Sequence, residues 1–94
     1  MYAVFSVVTV EDSARDPNFT MLREQIVPAV KGTPGAVGGY WLHPTEGKGA
    51  SIVLFESEEA ARQATEGMGV KVGGSPAPGV VFETVEIAEV VAQF

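Results

Sequence analysis

The residues best suited to chemistry lie in one short stretch, Tyr40 to His43, which holds the chain's only tryptophan and only histidine. Histidine is the side chain that most readily takes a proton at neutral pH, so His43 is the candidate catalytic base. Trp41 offers a large flat surface to a planar ligand, and Gly39 leaves space two residues away. Tyr40 can donate a hydrogen bond to a ligand oxygen. The stretch therefore predicts ligand binding by Gly39, Tyr40 and Trp41, with His43 as the catalytic residue.

Each of these residues also has a structural interpretation. Gly39 allows a neighbouring strand or helix to approach closely, in which case Trp41 belongs to the core. His43 precedes Pro44 at the end of a strand, where a solvated or turn-stabilising histidine is common. Tyrosine is frequent at interfaces because one end is apolar and the other wet. The sequence leaves both interpretations open.

Other catalytic chemistries find little support in the residue types. The chain has no cysteine, which excludes a disulfide, a thiol nucleophile and a thiolate metal site. The carboxylates Glu83, Glu86 and Glu89 have no spacing that makes them converge on a metal or a glycosidic bond, and we interpret them as surface charges. The glycines of GMGVKVGG follow a helix and precede none, so they lack the context of a phosphate-binding loop. No metal site is predicted.

The strands that must position this stretch follow from runs of apolar, β-branched and aromatic residues. These runs predict strands at residues 2–10, 36–43, 50–56 and 80–94. The turn between the second and third strands is short and rich in glycine, so the two strands form an antiparallel hairpin. The apolar parity changes along the last strand, and we expect a bulge near Ile87.

Two helices complete the set of elements. Apolar residues at three- and four-residue steps predict a first helix over 16–32, and Ser57 caps a second over 58–68. Pro28 lacks the N–H that would bond the Glu24 carbonyl, so the first helix should kink or loosen there. The glycine-rich stretch 67–79 is either a mobile flap over the end of the sheet or a plain connector.

The element order β-α-β-β-α-β predicts one domain, 1–94, of the α+β class with a ferredoxin-like fold: a four-stranded antiparallel sheet with two helices on one face. Alternation in the third strand points Ser51, Val53 and Phe55 towards the helices. It leaves Ala50, Ile52 and Leu54 on an open apolar face, which is an aggregation hazard unless something covers it. A second copy of the sheet is the natural cover, so we expect a homodimer.

Charge and hydropathy narrow the partners. Six basic residues stand against twelve acidic ones, and the basic residues never cluster, so nucleic acid and anionic membrane surfaces are poor partners. The stretch Lys48–Phe55 matches part of an RNA-recognition octamer, but Ala50 and Ile52 stand where that motif needs stacking aromatics. No apolar run is long enough to span a bilayer, and the N-terminus has no signal-peptide pattern. We expect a cytoplasmic protein.

The stretches VPAVKGTPGAVGGYWL and ASIVLFESEEAARQA resemble the dimeric α/β-barrel superfamily that includes antibiotic-biosynthesis-monooxygenase-like domains. This resemblance spans nearly the whole chain and implies a homodimer with a small-molecule pocket. It further implies cofactor-independent oxidation of aromatic, polyketide-like substrates, with no cofactor expected. Haem-degrading members use an Asn, Trp and His set that Asn18, the chain's sole asparagine, does not match in position. A non-catalytic ligand-binding or stress-associated dimer is the alternative function.

Overall fold

Four strands form one antiparallel sheet in the computed structural model, which describes all residues, 1–94. The strands are Tyr2–Val10 (β1), Ala36–Leu42 (β2), Lys48–Phe55 (β3) and Val80–Glu89 (β4). Their spatial order is β2-β3-β1-β4, with β1 and β3 in the centre. The helices lie between β1 and β2 and between β3 and β4. The predicted α+β ferredoxin-like fold is confirmed.

The first helical run begins earlier than predicted and changes its winding along the way. A 3-10 turn, Asp12–Ala14, leads into α1 (Arg15–Met21), then a π-helical turn over Leu22–Ile26, then α2 (Val27–Lys31). The π turn ends two residues before Pro28, whose ring nitrogen cannot donate to the preceding turn. The predicted loosening of this helix is therefore confirmed, and it takes the form of a wider turn rather than a break.

The second helix, α3, spans Glu58–Gly67 and begins as predicted. The Ser57 side chain accepts a hydrogen bond of 3.1 Å from the Ala60 backbone N–H, so it caps the helix. Where α3 crosses the start of β2, a Cβ at Gly35 would lie 2.7 Å from the Ala60 Cβ. Small residues thus let this helix lie close to the sheet.

The strand register separates the two faces of the sheet. One cross-strand row consists of Trp41, Ser51, Ser6 and Val85, and it faces the helices. The neighbouring row, Tyr40, Ile52, Phe5 and Glu86, lies on the outer face. Val53 and Phe55 are buried against α3, which confirms the predicted orientation of β3.

The bulge in β4 is not where the sequence placed it. The pairing register between β1 and β4 shifts where Val8 pairs with Phe82 and Val7 pairs with Thr84, so the extra residue is Glu83. The Val85 to Glu89 part of the strand pairs regularly with β1, and the prediction of a bulge near Ile87 is wrong. The change in apolar alternation at Ala88 and Val90 has another cause. Ala88 lies on the outer face of the sheet, and Val90 lies beyond the end of the strand.

The buried core is small and divided. Ten of the 94 residues are buried, and the apolar ones fall into two separate clusters. One cluster lies under α3, and its members are Val4, Val53, Phe55, Ala61 and Ala64. The other lies at the far end of β1, and its members are Ala14, Ala77 and Val80. The space between them, under the first helical run, is an open cavity.

Candidate functional site

An open cavity of ≈ 510 Å³ lies between the sheet and the first helical run. This volume is within the usual range for small-molecule sites. The roof is apolar and comes from one helical stripe, consisting of Phe19, Leu22, Ile26, Val27 and Val30. The end of α3 closes one side through Ala64, Thr65 and Met68. The divided core thus surrounds a chamber that a mainly apolar ligand would fit.

The floor of the cavity is a sheet surface with a polar centre. Ser6 and Ser51 are paired across β1 and β3, and their hydroxyl oxygens lie 2.6 Å apart in a hydrogen bond. Ser6 is only 4% exposed, although Val4 and Val8 flank it on the same face. The sequence signal for this pair is a serine at an apolar position of each strand.

Asn18 on α1 also lines the cavity, and sequence reasoning missed it as a site residue. It is 7% exposed, and its amide makes no hydrogen bond within the protein. Every fully buried side-chain polar atom in the protein has a hydrogen-bond partner. The unbonded amide of Asn18 is therefore not fully buried, and small molecules can reach it. Asn18 lines the open cavity.

His43 lies just beyond the end of β2 at the exposed mouth of the cavity. Its Nδ1 is 3.1 Å from the carbonyl oxygen of Lys48. A carbonyl only accepts, so this contact is a hydrogen bond when Nδ1 carries the proton, and the neutral ring then has its lone pair on Nε2. The ring also meets the Phe19 ring edge-on, with centroids 5.6 Å apart. These two contacts fix a ring whose free nitrogen can accept a proton.

The four residues singled out in the sequence do not all meet at the cavity. Trp41 and His43 line it, whereas Tyr40 is 65% exposed and belongs to the outer face. A Cβ on Gly39 would lie 3.3 Å from Trp41 Cζ3, so the indole itself occupies the space above the glycine. Gly39 therefore seats Trp41 and leaves no open gap for a ligand. Strand alternation is the physical reason that Tyr40 points away from its neighbours.

The mouth carries charge, and the inner part does not. Three of the six basic residues line the cavity, namely Arg15, Arg23 and Lys48. Arg15 lies 3.7 Å from a Glu46 carboxylate oxygen, with its guanidinium carbon 5.8 Å from the Phe19 ring centroid. Lys48 pairs with Glu83 across β1. No group of three or more histidine, cysteine or carboxylate side chains is arranged to hold a metal ion.

The fold of this chain is similar to that of a protein of known structure. A crystal structure of a mutant of MhuD, with two manganese protoporphyrin IX bound per active site, superposes with a TM-score of 0.66. In fold, this chain is similar to MhuD. The match covers 100% of this chain and 98% of the MhuD chain at 21% sequence identity, so the likeness concerns the whole domain. No protein-family model and no curated protein matches the sequence.

The donor set of the cavity does not suit the porphyrin that MhuD holds. An iron or manganese porphyrin is usually held by an axial imidazole, thiolate, thioether or phenolate. The single imidazole here, His43, lies at the solvent-exposed mouth, and the groups at the centre of the floor are the serine hydroxyls. Hydroxyl groups are poor ligands for such a metal and good hydrogen-bond partners for an organic oxygen. The residues present therefore do not fit a metalloporphyrin.

No helix in this structure has the length and hydropathy required to cross a membrane.

Proposed function

We propose that this protein is a cofactor-independent monooxygenase that oxidises fused-ring aromatic ketones with dioxygen. The observation that carries the proposal is the geometry of His43, whose Nδ1 is fixed by the Lys48 carbonyl while the ring lines an apolar cavity. A base so placed can remove a proton from a ligand without a metal or a flavin. Trp41 also lines this cavity, with its indole lying over Gly39.

An anthrone is a suitable reference substrate for this chemistry. Nε2 of His43 takes a proton from the methylene carbon, and the electron pair left behind spreads into the ring ketone as an enolate. That carbanion gives its electrons to dioxygen and forms a C–O bond, and the peroxide oxygen takes the proton back from the imidazolium. The second methylene proton then leaves as the O–O bond breaks. One oxygen atom stays as a new ketone, and the other leaves as water.

Replacement of His43 by alanine tests the proposal directly. Quinone formation and oxygen uptake with anthrone should fall by about 10²- to 10⁴-fold, the usual contribution of a positioned base. Thr45→Ala is the matched control, because Thr45 lies in the same turn and does not line the cavity. Wild-type turnover in the His43 variant, or no product from the wild-type protein, would contradict the proposal.

Ligand binding without catalysis is the second candidate function. It is favoured by the polar groups that face the centre of the cavity, Ser6, Ser51 and Asn18, because none of them can act as a base at neutral pH. The two functions differ in what happens to an aromatic ligand that saturates Trp41 fluorescence quenching. Under air the oxygenase converts it to product, whereas a binding protein returns it unchanged.

The proposal includes a homodimer joined through the outer face of the sheet. Phe5 is 36% exposed, and its cross-strand neighbours Ile52 and Tyr40 continue an apolar row across three strands. Leu42, on the next row, is half exposed. A second copy presents the same apolar rows about a two-fold axis, so it is the partner that matches this face. Covering the face would also protect it from less specific association.

A further inference from the structure

We infer that Ser6, Ser51 and Asn18 form an inner polar subsite that binds a carbonyl flanked by a hydroxyl on one edge of a fused-ring ligand. The inference rests on the proposed function, because it assigns a substrate class and an orientation to the same cavity. It adds three residues that neither the sequence motifs nor the role of His43 involves. We call this set the inner subsite.

The first support is the unused bonding capacity of Asn18. A carboxamide has two N–H donors and one carbonyl acceptor, and a buried amide is costly when these have no partner. Asn18 is only 7% exposed, yet its side-chain amide makes no hydrogen bond within the protein. Its polar atoms remain accessible while the residue lines the cavity. A ligand oxygen that enters the cavity could accept a hydrogen bond from the N–H groups of this amide.

The second support is the hydroxyl pair opposite the helical roof. Ser6 and Ser51 share one hydrogen bond of 2.6 Å, which uses one of their two O–H donors. The other donor has no partner in the protein, and both side chains line the same cavity. The pair thus offers one free donor together with unused lone pairs.

The surroundings decide the kind of ligand. The rest of the floor is apolar around the pair, with Val4, Val8 and Val53 on the same face. Free N–H and O–H donors suit a carbonyl, and the free amide carbonyl and hydroxyl lone pairs suit a hydroxyl group next to it. A hydrocarbon edge would leave all of these groups unpaired and would be rejected. The complement is therefore an aryl ketone with a neighbouring hydroxyl group.

Strand geometry relates the inner subsite to His43. His43 follows Trp41 by two residues, and Trp41 shares a row with Ser6 two strands away. At the usual rise and strand spacing, the Cα atoms of His43 and Ser6 are about 12 Å apart. A fused-ring ketone held by its oxygen edge at Ser6 turns its opposite edge towards His43. In an anthrone that opposite edge carries the methylene whose proton the proposed base removes.

The test compares two probes by quenching of Trp41 fluorescence under argon. Dithranol is an anthrone with a hydroxyl on each side of its carbonyl, and anthracene has the same three rings without oxygen. The wild-type protein should bind dithranol at least about tenfold more tightly than anthracene, and Asn18→Leu should bring the two dissociation constants together. Gln25→Leu is the matched control, since Gln25 is an exposed amide on the same helical run outside the cavity.

A Ser6→Ala/Ser51→Ala double variant makes the same test on the sheet, and it decides the matter if Asn18→Leu does not fold. A wild-type protein that shows no preference, or variants that keep it, would overturn the inner subsite. Quinone formation from dithranol under air, corrected for the spontaneous reaction, is measured separately. Preference without product overturns the oxygenase and leaves the subsite, whereas product without preference does the reverse. Failure of both probes to bind overturns both.

Discussion

At the scale of single residues, the floor of the cavity depends on two hydroxyl groups that satisfy one another. Ser6 lies among valines on β1, and its only hydrogen-bond partner is Ser51 on β3. Valines flank Ser6 on the same face, so the pair places two hydroxyl groups in an otherwise apolar floor. Its contribution to stability is a measurable quantity.

Removal of one member of this pair should cost stability. Ser51→Ala leaves the Ser6 hydroxyl, which is 4% exposed, without a protein partner, and we expect the free energy of unfolding to fall by about 1–3 kcal/mol. Urea denaturation of the two single variants and the double variant gives the coupling energy between them. Purely additive effects would show that the hydrogen bond contributes nothing.

The packing of the Trp41 indole over Gly39 gives a second prediction. Gly39→Ala places a Cβ 3.3 Å from Cζ3 and 3.4 Å from Cη2 of the indole, so the ring must shift. We expect a changed emission maximum and weaker quenching by cavity ligands. Gly38→Ala is the control, because nothing lies within 4 Å of a Cβ at that position. Identical emission spectra for both variants would contradict this account.

Sequence reasoning at this scale can single out a rare residue type, but it failed where a side chain's direction matters. His43 stands out as the only imidazole in the chain, and the structure places it at the cavity mouth, while its catalytic role stays a prediction. The space beside Gly39 was misjudged, since no pattern reveals that the indole folds back over the glycine. Asn18 was missed as a site residue because a polar residue in the first turns of a helix is typical of helix starts.

At the scale of elements, a proline in the first helical run changes the winding of the helix that forms the cavity roof. Pro28 was predicted to loosen the helix, and the chain responds with a π turn over Leu22–Ile26. Such turns often occur at functional sites. Leu22 and Ile26, at its two ends, both contribute to the cavity roof. The sequence could predict the disturbance, whereas its form depends on how the helix packs over the chamber.

The contact between β2 and α3 depends on one glycine. Gly35 has φ +81°, and a Cβ there would lie 2.7 Å from the Ala60 Cβ, so Gly35→Ala combines backbone strain with a clash. We expect a loss of more than about 2 kcal/mol in thermal or urea unfolding. Gly69→Ala separates the two causes, because Gly69 has φ +68° with open space around it and should lose only about 1–2 kcal/mol. Equal losses would remove the clash from the explanation.

At the scale of the whole molecule, the fold was predictable because its elements are strongly patterned. The order of strands and helices, and the face of β3 that packs on α3, were both correct. A pocket was expected only from the family resemblance, since its size arises from the distance between a sheet and a helical run, which no periodicity encodes. The bulge at Glu83 is likewise visible only in the pairing of β4 with β1.

The outer face gives a prediction for assembly. Ile52→Lys places a charge in the centre of the apolar row that we propose to be the dimer interface, and it should convert the dimer to a monomer at micromolar concentration in light scattering. Val72→Lys is the control, because Val72 is exposed in the loop after α3 and not on the sheet. A wild-type monomer at that concentration would refute the dimer.

The divided core has a consequence for how the molecule opens. The helical run 12–31 rests on a chamber rather than on a continuous core, whereas β1 is hydrogen-bonded to strands on both sides. The amide hydrogens of the helical run should therefore exchange with deuterium through local opening, well before those of β1. A ligand that fills the chamber adds the missing contacts and should slow exchange in the helix selectively. Occupancy would thus be readable as the exchange rate of one helix, without reference to catalysis.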